Sequence, residues 1–100
     1  MDDEIIVTLG DRLFIGNESD IQNRISLHIE DPACSRIILD MINVRTCDSQ
    51  GIRMLLTLQR KASQMNKTLI LFRPDRILKD LIGYMKLGHV FTIQDTLQKK

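Results

Sequence analysis

The chain has 100 residues, 43% apolar and 27% charged, which suits one small globular domain with a modest core. Its 14 basic and 13 acidic residues leave a formal charge of +1, without the strongly basic footprint of a protein that binds nucleic acid directly. No apolar run approaches the roughly 18 residues of a membrane span, and Met1-Asp2-Asp3-Glu4 is acidic where a secretory leader is basic, so a cytoplasmic protein with no membrane role is expected.

Ile5 to Leu9 reads as a strand, Gly10-Asp11 as a tight turn and Arg12 to Ile15 as a second strand pairing back on the first. Gly16-Asn17-Glu18-Ser19 carries helix-start chemistry, with Asn17 or Ser19 as the cap. Ile21, Ile25, His28 and Ile29 then share one helical face, and Asp31-Pro32 ends the helix because proline disfavours helical geometry in the residue before it. Arg36 to Met41 is the central strand, and its unbroken Ile37-Ile38-Leu39 suits a strand covered on both faces.

A second helix runs from about Gln50 to Met65, with Ile52, Leu55, Leu56, Gln59 and Ala62 marking its inner face. Thr68 to Phe72 is another buried strand. Pro74-Asp75 opens a third helix, proline fitting the first turn and Asp75 complementing the helix dipole. Ile77, Leu78, Leu81, Ile82 and Met85 form its stripe, Gly88 its C-terminal cap, and Val90 to Ile93 a closing strand. The order β-β-α-β-α-β-α-β predicts an α/β domain: a mixed sheet with helices packed against it, parallel in its second half and edged by the antiparallel opening hairpin. Its core spans about 5–93, with 94–100 as a tail.

Few residue patterns suggest catalysis or metal binding. Cys34 and Cys47 make neither a disulfide framework nor a metal-type spacing, and reduced thiols agree with the cytosol. Cys47 reads as a small buried hydrophobe. The only histidines, His28 and His89, read as a core-edge and a surface residue, and Ser49 lacks the Gly-x-Ser-x-Gly surround of a nucleophile elbow. No Walker or dinucleotide-type glycine pattern is present. The expectation is a protein that is not an enzyme, with no catalytic residues, no cofactor and no metal; a small hydrolase built on Ser49 is the remote alternative.

Thr46-Cys47-Asp48-Ser49-Gln50-Gly51 is the stretch that carries function, because it joins a buried strand to a helix start. A serine there has its hydroxyl at the surface beside unpaired backbone N–H groups. Such a position suits a helix cap, worth about 1 kcal/mol, or a phosphoryl group, which meets free N–H groups and the positive end of the helix dipole. Ile52 stands where a capping box would need Glu or Gln. Asp48 either orients the serine, meets a partner or caps the loop. Gly51 allows close backbone approach or relieves crowding, and Arg53 pairs with a phosphate or is simply solvated.

The central block, Ile37-Ile38-Leu39-Asp40 followed after a short spacer by Asp48-Ser49-Gln50-Gly51-Ile52 and Leu55-Leu56, resembles the signature of STAS domains (sulfate transporter and anti-sigma factor antagonist). Leu69-Ile70-Leu71, Pro74, the Ile77–Ile82 stripe and Leu87 through Phe91 resemble the family's closing half, so that the likeness covers about Ile5 to Ile93. Size and the lack of attached domains look most like the free-standing bacterial anti-sigma factor antagonists. That resemblance implies that Ser49 is phosphorylated by a serine kinase that is also an anti-sigma factor. The unmodified form captures this kinase and frees a sigma factor, and a metal-dependent serine phosphatase restores it. Carried over, the partner surface is Thr46, Asp48, Ser49, Gly51 and Ile52, with Asn17 from the loop entering the first helix; Gln50 and Arg53, their neighbours in this sequence, are added as candidate contacts, and the protein is expected to be a monomer or weak homodimer. The alternative is a STAS docking subunit of another assembly, stressosome-like or lipid-transporting, without a phospho-switch. Three features depart from the family: Gln50 stands where a small residue is usual, Lys86 where glycine often precedes the closing Leu, and residues 13–17 have no clean Gly-x-Leu-Asp segment.

Overall fold

The computed structural model describes residues 4–10, 12–13 and 18–95. In chain order the elements are β1 Glu4–Thr8, β2 Arg12–Leu13, α1 Glu18–Glu30, β3 Arg36–Asp40, β4 Thr46–Cys47, α2 Ser49–Gln64, β5 Thr68–Phe72, α3 Arg76–Tyr84 and β6 Thr92–Gln94. The main sheet runs β1-β3-β5-β6 and every neighbouring pair in it is parallel. The α/β domain is as the sequence predicts, and so is the alternation of strands and helices apart from β4, a two-residue strand that the predicted order does not contain.

The opening hairpin is not. Among the described residues β1 pairs with β3, Ile5 beside Ile37 and Val7 beside Leu39, while β2 pairs with β4, Arg12 beside Thr46 and Leu13 beside Cys47. Both pairings are parallel, so the four-stranded sheet is parallel and not mixed. The reason lies in what β1 must bury. Val7 and Leu9 are buried, and lying beside β3 puts them into the core that β3 shares with the helices. A hairpin to a two-residue strand would not. The unit β1-α1-β3 is thus the first of three strand–helix–strand crossovers.

Three right-handed crossovers moving the same way across a sheet put all their helices on one face. Ile25 and Ile29 of α1, Ile52, Leu55, Leu58 and Ala62 of α2, and Leu78 and Ile82 of α3 accordingly form one cluster with Val7, Ile37, Leu39, Leu69 and Leu71. Burying this many aliphatic side chains, each worth about 1.5–3 kcal/mol, is what holds a chain with so few aromatics together. The second face carries a separate cluster, Ile38, Ile70 and Phe72. Arginine side chains lie over it: the Arg73 guanidinium sits 4.5 Å from the Phe72 ring centre and pairs with Asp40 at 3.0 Å, and Arg36 pairs with Glu4 at 3.4 Å. Ile37, Ile38 and Leu39 are all buried, as expected of a strand covered on both faces.

The helix ends refine the sequence reading. Glu30 closes α1 as Asp31-Pro32 requires, and Asp31 Oδ1 accepts from the Ala33 N–H at 2.9 Å. Helices α2 and α3 both end in Schellman motifs. In α2, Asn66 has φ 59°, with Lys67 N–H donating to Ala62 O at 2.8 Å and Asn66 N–H to Ser63 O at 3.1 Å. In α3, Lys86 has φ 59°, and the Leu87 and Lys86 N–H groups donate to Ile82 and Gly83 at 3.0 Å each. The cap expected at Gly88 is therefore two residues earlier, on Lys86. The closing strand is Thr92–Gln94, shorter and later than Val90–Ile93, because Phe91 is turned into the core and Val90 belongs to the preceding turn.

Candidate functional site

The Asp48-Ser49 turn lies at the carboxyl end of the parallel strands, where α/β domains keep their ligand and partner sites. After Asp40, whose Oδ1 accepts from the Ile42 N–H at 3.1 Å, the chain turns through Val44 and becomes extended again as β4. Pairing with β2 holds Thr46 and Cys47 extended, so the first residue free to become helical is Ser49. Asp48, at φ −116° and ψ −177°, is consequently the N-cap of α2. Its Oδ1 accepts from the Gln50 N–H at 2.8 Å and the Gly51 N–H at 3.1 Å, while its carbonyl accepts the first helical bond from Ile52 at 3.2 Å.

That geometry removes the reading of the serine as a cap. Ser49 is not the cap; it is the first helical residue, and it is exposed. Since Asp48 already holds two of the free amides, the Ser49 hydroxyl is left facing solvent. Gln50 and Arg53 are exposed as well, with Arg53 one helical turn beyond Ser49, the spacing at which side chains on one helix meet. Gly51 is buried, and Ile52 is fully buried at 0% exposure. Whatever these two contribute to a partner passes through the shape of the turn. Thr46 lies in β4, and Asn17 falls outside the described residues.

Cys47 is half-buried beneath this turn, its Sγ–H 3.7 Å from the Asp48 carbonyl oxygen. Burial, then the carboxylates of Asp48 and Asp75, push the thiol up to about 12, so it stays protonated and unreactive. Asp75 is the N-cap of α3 and accepts from the Leu78 N–H at 2.8 Å. Cys47 also shares the wall of one depression with Ile77 in the first turn of α3, so the starts of α2 and α3 converge beside it. Pro74, read from the sequence as the first helical residue, is buried ahead of the cap.

A depression of about 350 Å³ opens beside the turn, lined by Cys47, Ile77, Asp80, Leu81 and Tyr84. Ile77 belongs to the apolar stripe that the sequence predicts for α3, whereas Asp80 and Tyr84 carry no pattern that marks them. The available signal was the width of that stripe: of Ile77, Leu78, Leu81, Ile82 and Met85, the core fully covers Leu78 and Ile82, while Ile77 is 68% exposed.

His28 stands in the last turn of α1 and His89 in the loop before β6. Both loops enter strands, so the two imidazoles lie at the amino end of the parallel sheet, opposite Ser49. No group of three or more metal-ligating side chains occurs among the described residues. No helix among them is long and apolar enough to cross a membrane.

The model of a family described as the STAS domain matches residues 1–100. No curated protein matches the chain. Among solved structures, the anti-sigma factor antagonist SpoIIAA in its unphosphorylated form is similar with a TM-score of 0.76 at 20% identity, over 93% of this chain and 81% of that one. The Bacillus cell fate determinant SpoIIAA in its phosphorylated form gives 0.71 at 20% identity, over 93% and 84%. The protein TM1081 gives 0.81 at 19% identity, over 96% and 77%. At such identities these three similarities are similarities of fold.

Proposed function

The chain belongs to the STAS domain family, and we propose that it is a cytoplasmic anti-sigma factor antagonist switched by phosphorylation of Ser49. The unmodified protein captures a serine kinase that doubles as an anti-sigma factor, which frees a sigma factor. Phosphorylation ends the capture, and a metal-dependent serine phosphatase restores it. The domain is the substrate of these enzymes and not a catalyst.

The observation that carries this reading is the division of labour at the turn: Asp48 caps α2, and the adjacent Ser49 hydroxyl is exposed. A kinase can take that hydroxyl without dismantling the helix start. The phosphoryl group brings about −1.5 to −2 charges at neutral pH. It arrives at a rigid surface turn next to the Asp48 carboxylate, with Arg53 as the cation within one helical turn. That change of charge and shape is enough to end docking while leaving the fold intact. SpoIIAA, an antagonist known in phosphorylated and unphosphorylated forms, shares the fold.

Gln50, exposed beside Ser49 where the family usually has a small residue, favours a second reading in which the domain docks without being modified. Incubation with a cognate kinase and ATP, followed by mass spectrometry, separates the two. The switch predicts a stable phosphate on Ser49, and loss of kinase binding in Ser49→Asp but not in Ser49→Ala. Equal binding by wild type and Ser49→Asp would refute it. Inertness of Ser49 to a fluorophosphonate is the expected result against the hydrolase alternative.

A further inference from the structure

We propose that Arg73 and Asp40 form a positioning pair that locks the Ser49 turn to the start of α3. What the lock serves rests on the reading of that turn as the switch; its existence does not. Among the described residues, three that are not glycine have positive φ: Asn66 at 59°, Lys86 at 59° and Arg73 at 58°. Asn66 and Lys86 belong to the Schellman motifs that close α2 and α3. Arg73 closes no helix. It follows β5 directly and precedes Pro74, where a residue prefers a φ of about −120°. Backbone strain of this kind persists only where the surrounding contacts overdetermine it, and it gathers at functional sites.

The contacts that hold Arg73 lie at the carboxyl end of the sheet. Its N–H donates to Gln94 O at 2.8 Å, which fastens the backbone to β6. Its guanidinium lies 4.5 Å from the Phe72 ring centre and donates from Nη2 to Asp40 Oδ2 at 3.0 Å. Asp40 ends β3, and its side chain is only 13% exposed. Its other oxygen, Oδ1, accepts from the Ile42 N–H at 3.1 Å and so fixes the beginning of the loop that leads through β4 to Ser49. One carboxylate thus joins the loop entering β4 and α2 to the loop entering α3. Beside it, Met41 N–H donates to Phe72 O at 2.8 Å. That single bond sets the separation of the two loops, and the charged pair supplies the second attachment that resists rotation about it. Glycine would adopt φ 58° without strain but could not reach Asp40. Arginine accepts the strain and supplies the reach.

The two cysteines make the test direct. Cys47 is half-buried beneath the Ser49 turn, and Cys34 is buried at the opposite, amino end, where its Sγ–H donates to Arg36 O at 3.4 Å. Alkylation of both thiols by iodoacetamide is followed in the folded protein by peptide mass spectrometry. Opening of the turn exposes Cys47 alone, whereas global unfolding exposes both. The charges acting on the Cys47 thiol are those of Asp48 and Asp75, so changes at Asp40 or Arg73 read access. Arg73→Met and Asp40→Asn, the second keeping an oxygen for the Ile42 N–H, should each raise the ratio of Cys47 to Cys34 rates at least about fivefold. Arg73→Lys, which keeps a cation, should leave the ratio within about twofold of wild type. The double variant should do no more than either single one, because both remove the same contact. Arg73 is 41% exposed at its side chain, so Arg73→Met folds even where Asp40→Asn does not, as circular dichroism checks. Four results would overturn the proposal: an unchanged ratio, equal acceleration of both thiols, no rescue by lysine, or effects that add in the double variant. The assay uses neither kinase nor phosphate, so this proposal and the one for Ser49 can fail separately.

Discussion

Helices α2 and α3 begin in nearly the same way. Each starts at the carboxyl end of the sheet, each has an extended aspartate as its N-cap, and neither carries an acidic residue in its first turn. They differ in the residue that follows the cap. After Asp48 comes Ser49, exposed and small; after Asp75 comes Arg76, exposed and charged. One aspartate takes two backbone amides and the other one. Capping and chemistry are thus assigned to adjacent residues: the aspartate fixes the helix start, and the next side chain is left free to act. At α2 the freed residue carries a hydroxyl, the group on which the proposed switch depends, whereas at α3 the same construction frees a guanidinium.

The largest effect expected from this comparison concerns the thiol between the two caps. With Cys47 at about 12 against an ordinary 9.0, its alkylation at pH 8 should be at least about a hundredfold slower in the folded than in the unfolded protein. The folded state holds the thiol proton more tightly. The stability this provides is complete below 9.0 and is lost as pH rises toward about 12. Chemical denaturation between those values should show the decline, and Cys47→Ala should flatten it. Replacing Asp48 or Asp75 with Asn should bring the thiol down, since both carboxylates contribute.

The caps themselves come next. Asp48→Ala should cost about 1–2 kcal/mol and Asp75→Ala about 1 kcal/mol, measured by urea denaturation. Equal costs would mean that the second amide accepted by Asp48 adds nothing. Lys86→Gly should stabilise the protein by about 0.5–1 kcal/mol, because a lysine at φ 59° bears a strain that glycine does not. Ser49→Ala should be the smallest change, within about 0.5 kcal/mol. A loss near 1 kcal/mol would return the cap to Ser49 and undo the division of labour on which the comparison rests.

Much of this domain was legible in its sequence. Ile37-Ile38-Leu39 announced a strand buried on both faces, and the periods of α1 and α2 marked their inner sides, because local spacing depends only on the geometry of a strand or helix. The stretch from Asp48 to Gly51 was recognisable as a helix start by its residue types. The opening strands were misread because Gly10-Asp11 is good turn chemistry, and turn chemistry says nothing of which strand buries Val7 and Leu9. Gly88 reads as the cap because glycine tolerates positive φ; closure of the Schellman bonds onto Ile82 and Gly83 puts the cap on Lys86 instead.

By itself, then, the sequence determined that a short acidic-and-hydroxyl turn joins a buried strand to an amphipathic helix, and that Ile77, Leu78, Leu81, Ile82 and Met85 form an apolar stripe on α3. Only the tertiary structure decided which of two neighbouring residues caps that helix and which part of the α3 stripe stays in solvent. The cap was settled by a non-local contact, the pairing of residues 12–13 with 46–47, which keeps the backbone extended through Cys47 and delays the first helical residue to Ser49. The exposure of Ile77 and Tyr84 was settled by how far the one-sided helical layer reaches around α3. A side chain's type and spacing are properties of the chain, but what covers it belongs to the packing.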